Sequence, residues 1–173
     1  LFHENSVSFI DLYFKDMYNW SMECELCGFN NSKGCATAII IRDGKLLLLK
    51  RNEEPFKGML DLPGGYMNEG EKPEESMRKE IREELGVDCV LDFVDWFPGT
   101  AVWKGKKFAV LNHAFLAELQ GAISLNTEEN SELQWIPLEK IDPAVIPFDS
   151  NQAIAKFAQA KFTVDLPQLK KLI

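Results

Sequence analysis

The thirteen residues from Pro73 to Leu85 leave the chain little choice but a helix. Pro73 suits the first turn, where its missing N–H costs nothing, and Glu74 and Glu75 suit the positive end of the helix dipole. Met77, Ile81 and Leu85 recur every four residues as one apolar stripe, and Gly86 follows as a stop. On that helix Glu80, Glu83 and Glu84, spaced i, i+3 and i+4, share a face, while Ile81 and Leu85 point elsewhere. Like charges so placed repel by a few tenths of a kcal/mol per pair, roughly, and call for something positive. A cluster of oxygen ligands suits hard Mg²⁺ or Mn²⁺, and Mg²⁺ typically takes one or two carboxylates plus substrate phosphates. The plainer alternative is a solvated acidic face with Lys79 and Arg82 as local partners.

The surroundings of the helix predict a mixed sheet. A β-branched run, Thr37 to Ile41, meets Leu46 to Leu49 across Arg42-Asp43-Gly44-Lys45, and Asp-Gly between apolar runs is a strong hairpin signal. Leu60 to Leu62 reads as a short strand, ended by Pro63-Gly64-Gly65, which is not expected to continue regular structure. Residues 87–97, 107–119 and 133–136 read as further strands, the first two joined around Pro98-Gly99 and Lys104-Gly105. A helical turn is expected at Leu138 to Ile141, and Asp149 or Ser150 is placed to cap a last helix through about Lys161. Residues 1–35 read as an N-terminal appendage carrying aromatics and a Cys-x-x-Cys remnant, with the main domain at residues 36–173.

Charge narrows the partners. With 27 acidic and 19 basic side chains the net charge is −8, which argues against a nucleic-acid binder needing a basic face. Residues 65–87 account for −3 and residues 126–149 for −5, so the rest is neutral. No apolar run approaches the roughly 20 residues of a membrane span, and the N-terminus lacks the pattern of a signal peptide. Four cysteines in a chain of this size do not form a disulfide framework, so a reducing cytoplasm is expected.

The stretch from Gly65 to Val87 resembles the Nudix box, G-x5-E-x7-R-E-U-x-E-E-x-G-U with U a bulky apolar residue. Gly65, Glu71, Glu80, Ile81, Glu83, Glu84, Gly86 and Val87 fall on its fixed positions, and Lys79 stands where the pattern has Arg. The resemblance spans about residues 36–162 and implies an α/β (α+β) fold, an α/β/α sandwich around a mixed β-sheet. It implies a hydrolase acting on phosphorus-containing acid anhydrides, with Mg²⁺ or Mn²⁺ held by Glu80, Glu83, Glu84 and the backbone carbonyl of Gly64. Glu83 and Glu84 are expected as main ligands, with Glu80 a further ligand or the base. Gly65, Glu71 and Gly86 carry structural roles, Glu71 fixing the loop and helix. The family Arg orients a catalytic carboxylate through planar contacts; Lys79 keeps the charge without the fork.

Outside the box, Glu128, Glu129 and Glu132 are candidates for the general base, Glu129 being carried forward, although exposed loop glutamates are common. Arg51, Phe56 and Trp103 are candidate substrate contacts, the aromatics as faces for a base to stack on. Phe108 is a weaker aromatic candidate, and Lys50 and the lysines at 104, 106 and 107 weaker basic ones. His113 and Cys89 read as core residues. Cys24-x-x-Cys27-Gly28 resembles one knuckle of the zinc ribbon that some NADH-cleaving Nudix enzymes carry before the catalytic domain; with Cys35 it supplies three cysteines, and His3 is a remote candidate for the fourth ligand a Zn²⁺ site needs. The expected substrate is a nucleoside diphosphate linked to another moiety, of the ADP-ribose, NADH or nucleotide-sugar type; a homodimer is compatible with this reading. The alternatives are a nucleoside triphosphate pyrophosphohydrolase and a non-catalytic nucleotide-binding regulator.

Overall fold

The computed structural model describes residues 28–29, 31–103 and 105–163, with the backbone alone for residue 103. Cys24 and Cys27 therefore lie outside the described residues. The strands are β1 (Lys33–Ile39), β2 (Ile41–Arg42), β3 (Lys45–Arg51), β4 (Leu60–Asp61), β5 (Gly64–Tyr66), β6 (Cys89–Trp103), β7 (Lys106–Leu119) and β8 (Asn130–Pro137). Helix α1 is Pro73–Leu85 and α2 is Asp149–Phe162, with 3-10 turns at Leu138–Lys140 and Pro143–Val145. The helix expected at 73–85 forms over those residues, and Gly86 ends it at φ 62°, its N–H donating to the Arg82 carbonyl at 3.0 Å.

Two four-stranded sheets carry the domain. One has the order β5-β1-β7-β6, with β1 parallel to β7 and its other pairs antiparallel; the second joins β2, β3, β4 and β8. The run Leu46–Leu49 is continuously apolar because both faces of β3 are covered. Leu47 and Leu49 pack with Met77, Ile81 and Leu85 of α1. Leu46 and Leu48 pack with Ile154, Ala155 and Ala158 of α2. These two clusters form an α/β/α sandwich, and each of the three fully buried α1 side chains contributes roughly 1.5–3 kcal/mol.

Two sequence expectations need correction. Gly64-Gly65 does not end regular structure but opens β5, with Gly64 opposite Thr37 and Gly65 opposite Ala36. Nor does Pro98-Gly99 interrupt a strand: β6 runs through it, pairing Pro98 with Leu111 and Gly99 with Val110. Because β6 is the outer strand of its sheet, the missing proline N–H costs little there. Among the described residues, no helix is long and apolar enough to cross a membrane.

Candidate active site

The turn between β4 and β5 sets backbone against helix. Gly64 has φ 145°, and a Cβ there would lie 2.2 Å from the Ala36 carbonyl oxygen. A Cβ on Gly65 would lie 2.7 Å from the carboxyl group of Glu80. Glycine at both positions thus lets β5 close onto β1 and lets the Glu80 carboxyl rest on the chain. The two should respond differently to alanine. Gly64→Ala meets rigid backbone and is expected to cost about 1–3 kcal/mol of stability by denaturant titration. Gly65→Ala meets the end of a side chain; it is expected to keep most stability yet lose about 10²-fold activity by displacing Glu80.

The three helix glutamates occupy different environments. Glu84 is 7% exposed, and its carboxylate accepts hydrogen bonds from the Gly64 N–H at 3.0 Å and from Asn130 Nδ2 at 3.1 Å. It ties α1 to β5 and β8, and burial pushes its pKa well above the carboxylate range. Glu80 faces a cleft, and burial pushes its pKa up to about 7, with the charges of Glu83, Glu129 and Glu71 raising it and Lys79 opposing them. Glu83 is exposed and lies 3.7 Å from Lys79 Nζ, which is 4.0 Å from Glu80. These are loose point-charge contacts without the planar fork an arginine supplies. Glu71 holds the preceding loop by accepting from Asn68 N–H at 2.9 Å and Nδ2 at 3.3 Å, and the backbone bond holds its pKa down.

A cleft of about 330 Å³ opens beside Glu80. Glu129 stands at its lip, whereas Glu128 and Glu132 do not line it; Glu132 pairs with Lys50 at 3.5 Å. Arg51 lines the wall, held by the Pro55 carbonyl at 3.0 Å, by Asp61 at 3.4 Å and by the Phe148 ring, 5.2 Å from its guanidinium. Phe56 meets Phe148 edge-on, with centroids 5.1 Å apart, but does not itself line the cleft. Trp103 closes β6, and Phe108 is 9% exposed in a small cluster with Ala101 and Val110. A larger hollow of about 770 Å³, bordered by Ile41, Leu116, Leu138 and Phe162, contains none of the α1 carboxylates, so chemistry selects the smaller cleft.

Sequence reasoning missed the floor of this cleft. Asp61 is 5% exposed, Asn112 3% and Asn151 7%, and all three line it together with Thr37. The available signal was periodic: Phe108, Val110, Asn112 and Ala114 occupy one buried face of β7, and only Asn112 among them is polar.

The donor set fits a hard cation by chemistry. It is made of oxygens, and Glu80 and Glu84 are uncomfortable as anions without positive charge nearby. The Glu84 oxygens each accept one hydrogen bond, which leaves each a further lone pair. As the side chains stand, no three His, Cys, Asp or Glu among the described residues converge on a metal position. Cys35 lies within β1, where burial pushes its thiol up to about 12. His113, read as a core residue, is only half-buried, its Nδ1 3.1 Å from the Cys35 carbonyl, whereas Cys89 is 4% exposed in the core, as expected.

Residues 33–158 match the model of the NUDIX domain. An ADP-ribose pyrophosphatase of Methanocaldococcus jannaschii is 51% identical over 49 residues, which cover 28% of this chain and 29% of that protein's own length. The Nudix hydrolase YfcD of Escherichia coli is 34% identical over 127 residues, covering 69% of each. The NUDIX domain of Shewanella oneidensis NrtR, solved in complex with ADP ribose, superposes with a TM-score of 0.62 at 19% identity, covering 87% of this chain and 98% of that one.

Proposed function

The chain belongs to the Nudix family of pyrophosphohydrolases, and from that premise we propose that it cleaves the pyrophosphate bond of a nucleoside diphosphate linked to a second moiety, with ADP-ribose the first candidate. The observation that carries this reading is one cleft with two chemistries. Its lining holds the carboxylates of Glu80 and Glu129 and the Arg51 guanidinium, together with the Phe148 ring and the buried amides of Asn112 and Asn151. The charged groups suit a diphosphate and its cations, the ring and the amides a nucleoside.

In this reading Glu80, Glu83 and Glu84, with the Gly64 carbonyl, would hold Mg²⁺ or Mn²⁺. When bound, such an ion neutralises phosphate oxygens and makes a water more acidic. The protein's own groups do the rest. Glu84 fixes the Gly64 peptide and thereby the distance between β5 and α1. Lys79 lies between Glu80 and Glu83, restraining both. Arg51, already anchored, presents its remaining N–H donors to a phosphate without first ordering a long side chain. Water attacks one phosphorus, a new P–O bond forms, the bridging P–O bond breaks, and Glu80 or Glu129 takes the proton released by the water.

A Mg²⁺-dependent panel of ADP-ribose, NADH, nucleotide sugars and nucleoside triphosphates, with products identified, tests the proposal. The expected products are a nucleoside monophosphate and a phosphorylated remainder. Monophosphate plus inorganic pyrophosphate would move the enzyme to triphosphate hydrolysis; no turnover of any substrate, with tight nucleotide binding, would make it a regulator.

A further inference from the structure

The segment from β7 to β8, which carries Glu129, is bound along its length. The N–H groups of Ser124 and Asn126 donate to the Leu85 and Glu84 carbonyls, both at 2.8 Å, and so take up acceptors that the end of α1 leaves without helical partners. Just past β3, the Asn52 N–H donates to the Glu129 carbonyl at 2.9 Å and its Nδ2 to the Glu128 carbonyl at 3.1 Å. Asn130 closes the turn: its N–H reaches the Asn126 carbonyl at 3.2 Å, and its Nδ2 the Glu84 carboxylate at 3.1 Å. The backbone that bears Glu129 is therefore fixed between helix and sheet. Its side chain needs a separate restraint.

Glu129 is exposed, lines the cleft with Glu80, and adds its charge to those of Glu80 and Glu84. Like-charge repulsion and roughly 1.5–2 kcal/mol of side-chain entropy both favour a carboxylate turned out into water. Asn126 opposes them. Its Oδ1 accepts the Glu128 N–H at 3.1 Å, and its Nδ2 lies 3.4 Å from Glu129 Oε1. A backbone N–H can only donate, so the amide has one orientation; the reverse would set NH₂ against N–H and oxygen against carboxylate. The NH₂ is thereby aimed at Glu129. Being neutral, it orients the carboxylate without cancelling its charge, as a lysine or arginine would. We propose that Asn126 is a positioning residue of this site: its NH₂, aimed by the Glu128 N–H, holds the Glu129 carboxylate at the lip of the cleft. This assignment rests on the pyrophosphohydrolase reading above and deepens it, since it names what places one of the two carboxylates offered there as proton acceptors.

Asn126→Asp separates placement of Glu129 from formation of the turn. Asp accepts the Glu128 N–H as Asn does, which keeps the turn, but it sets a carboxylate against Glu129 where a donor stood. With a substrate that the wild-type chain turns over, kcat is expected to fall about tenfold or more while KM stays within about twofold. In a Glu129→Gln background the same substitution is expected to change kcat by less than about twofold, because residues acting through one contact are not additive. A second readout needs neither metal nor turnover, nor any change at position 126. In the NMR spectrum of the metal-free protein, the side-chain NH₂ signals of Asn126 are expected to move on Glu129→Gln, as the charge they face is lost. Asn126→Asp with wild-type kcat would overturn the proposal and leave Asn126 a turn residue. An equal loss in both backgrounds, or NH₂ signals indifferent to Glu129→Gln, would overturn it as well. So would Glu129→Gln at wild-type kcat, which leaves Asn126 nothing to place. Absence of hydrolysis across all substrates would instead sink the proposed function, with the NMR comparison still deciding whether Asn126 holds Glu129.

Discussion

Glu80→Gln is expected to lower kcat about 10²–10⁴-fold under saturating Mg²⁺ while raising the melting temperature of the metal-free protein. Both effects come from one circumstance. The Glu80 carboxyl is half-buried against β5, close enough to Gly65 that no Cβ fits there, and Glu83, Glu129 and Glu71 add negative potential. Ionisation at that position is useful only when a cation or a substrate proton is to be taken up. Gln keeps the shape and removes the charge, so the fold relaxes as the chemistry is lost. Glu83→Gln should differ, because Glu83 is exposed and its charge is already balanced by Lys79. There the loss should appear mainly as a higher Mg²⁺ requirement, with little change in the melting temperature. Steady-state assays across Mg²⁺ concentration, paired with thermal unfolding in a chelator, separate the two. A Glu80→Gln enzyme within tenfold of wild type would remove Glu80 from the reaction.

The part of this site that lies within one helix was legible in the sequence, and the part assembled by sheet order was not. Pro73, Glu75 and Gly86 are local signals whose meaning does not depend on the rest of the chain: Glu75 accepts from the Lys72 N–H at 3.3 Å, and Gly86 takes the left-handed turn. The carboxylate spacing that follows from them is equally local. Asp61 of β4 in one sheet and Asn112 of β7 in the other are joined only through Asn151 of α2, which bonds residues 90 and 39 positions away. Pro98 misled for the same reason. Its effect on a strand depends on whether that strand has a neighbour on its N–H side, which is a property of the sheet. Gly99 beside it is explained by α2: a Cβ there would stand 2.4 Å from the Asp149 carboxylate, which instead bonds the Thr100 N–H and hydroxyl.

Metal-free protein is expected to lose stability as pH rises from 5 to 8, and Mg²⁺ is expected to restore it at the upper end. The ordinary value for Glu80 is 4.5 and in the fold it is about 7. Between those values the native protein holds a proton that the unfolded chain has released, so each step up in pH favours unfolding. The stabilisation from this group is complete below about 4.5, declines through the window, and is gone above about 7. Glu80 alone should therefore give a fall in Tm that thermal unfolding at successive pH values resolves. Glu84 shifts in the same direction, and Asp61, at about 6 against 3.8, adds to the fall in the lower part of the range. Glu71 shifts the other way, so its contribution is lost only in more acidic solution. A divalent cation replaces the missing protons with positive charge, so Mg²⁺ should raise Tm much more at pH 8 than at pH 5, by mass action on the folded state alone. Glu80→Gln should flatten the pH profile and weaken the Mg²⁺ response together, because both arise from the same carboxylate. A metal-free Tm that is level from pH 5 to pH 8, or a Mg²⁺ effect indifferent to pH, would mean that the charge carried by these glutamates is neutralised within the protein and that no cation is needed to complete the site.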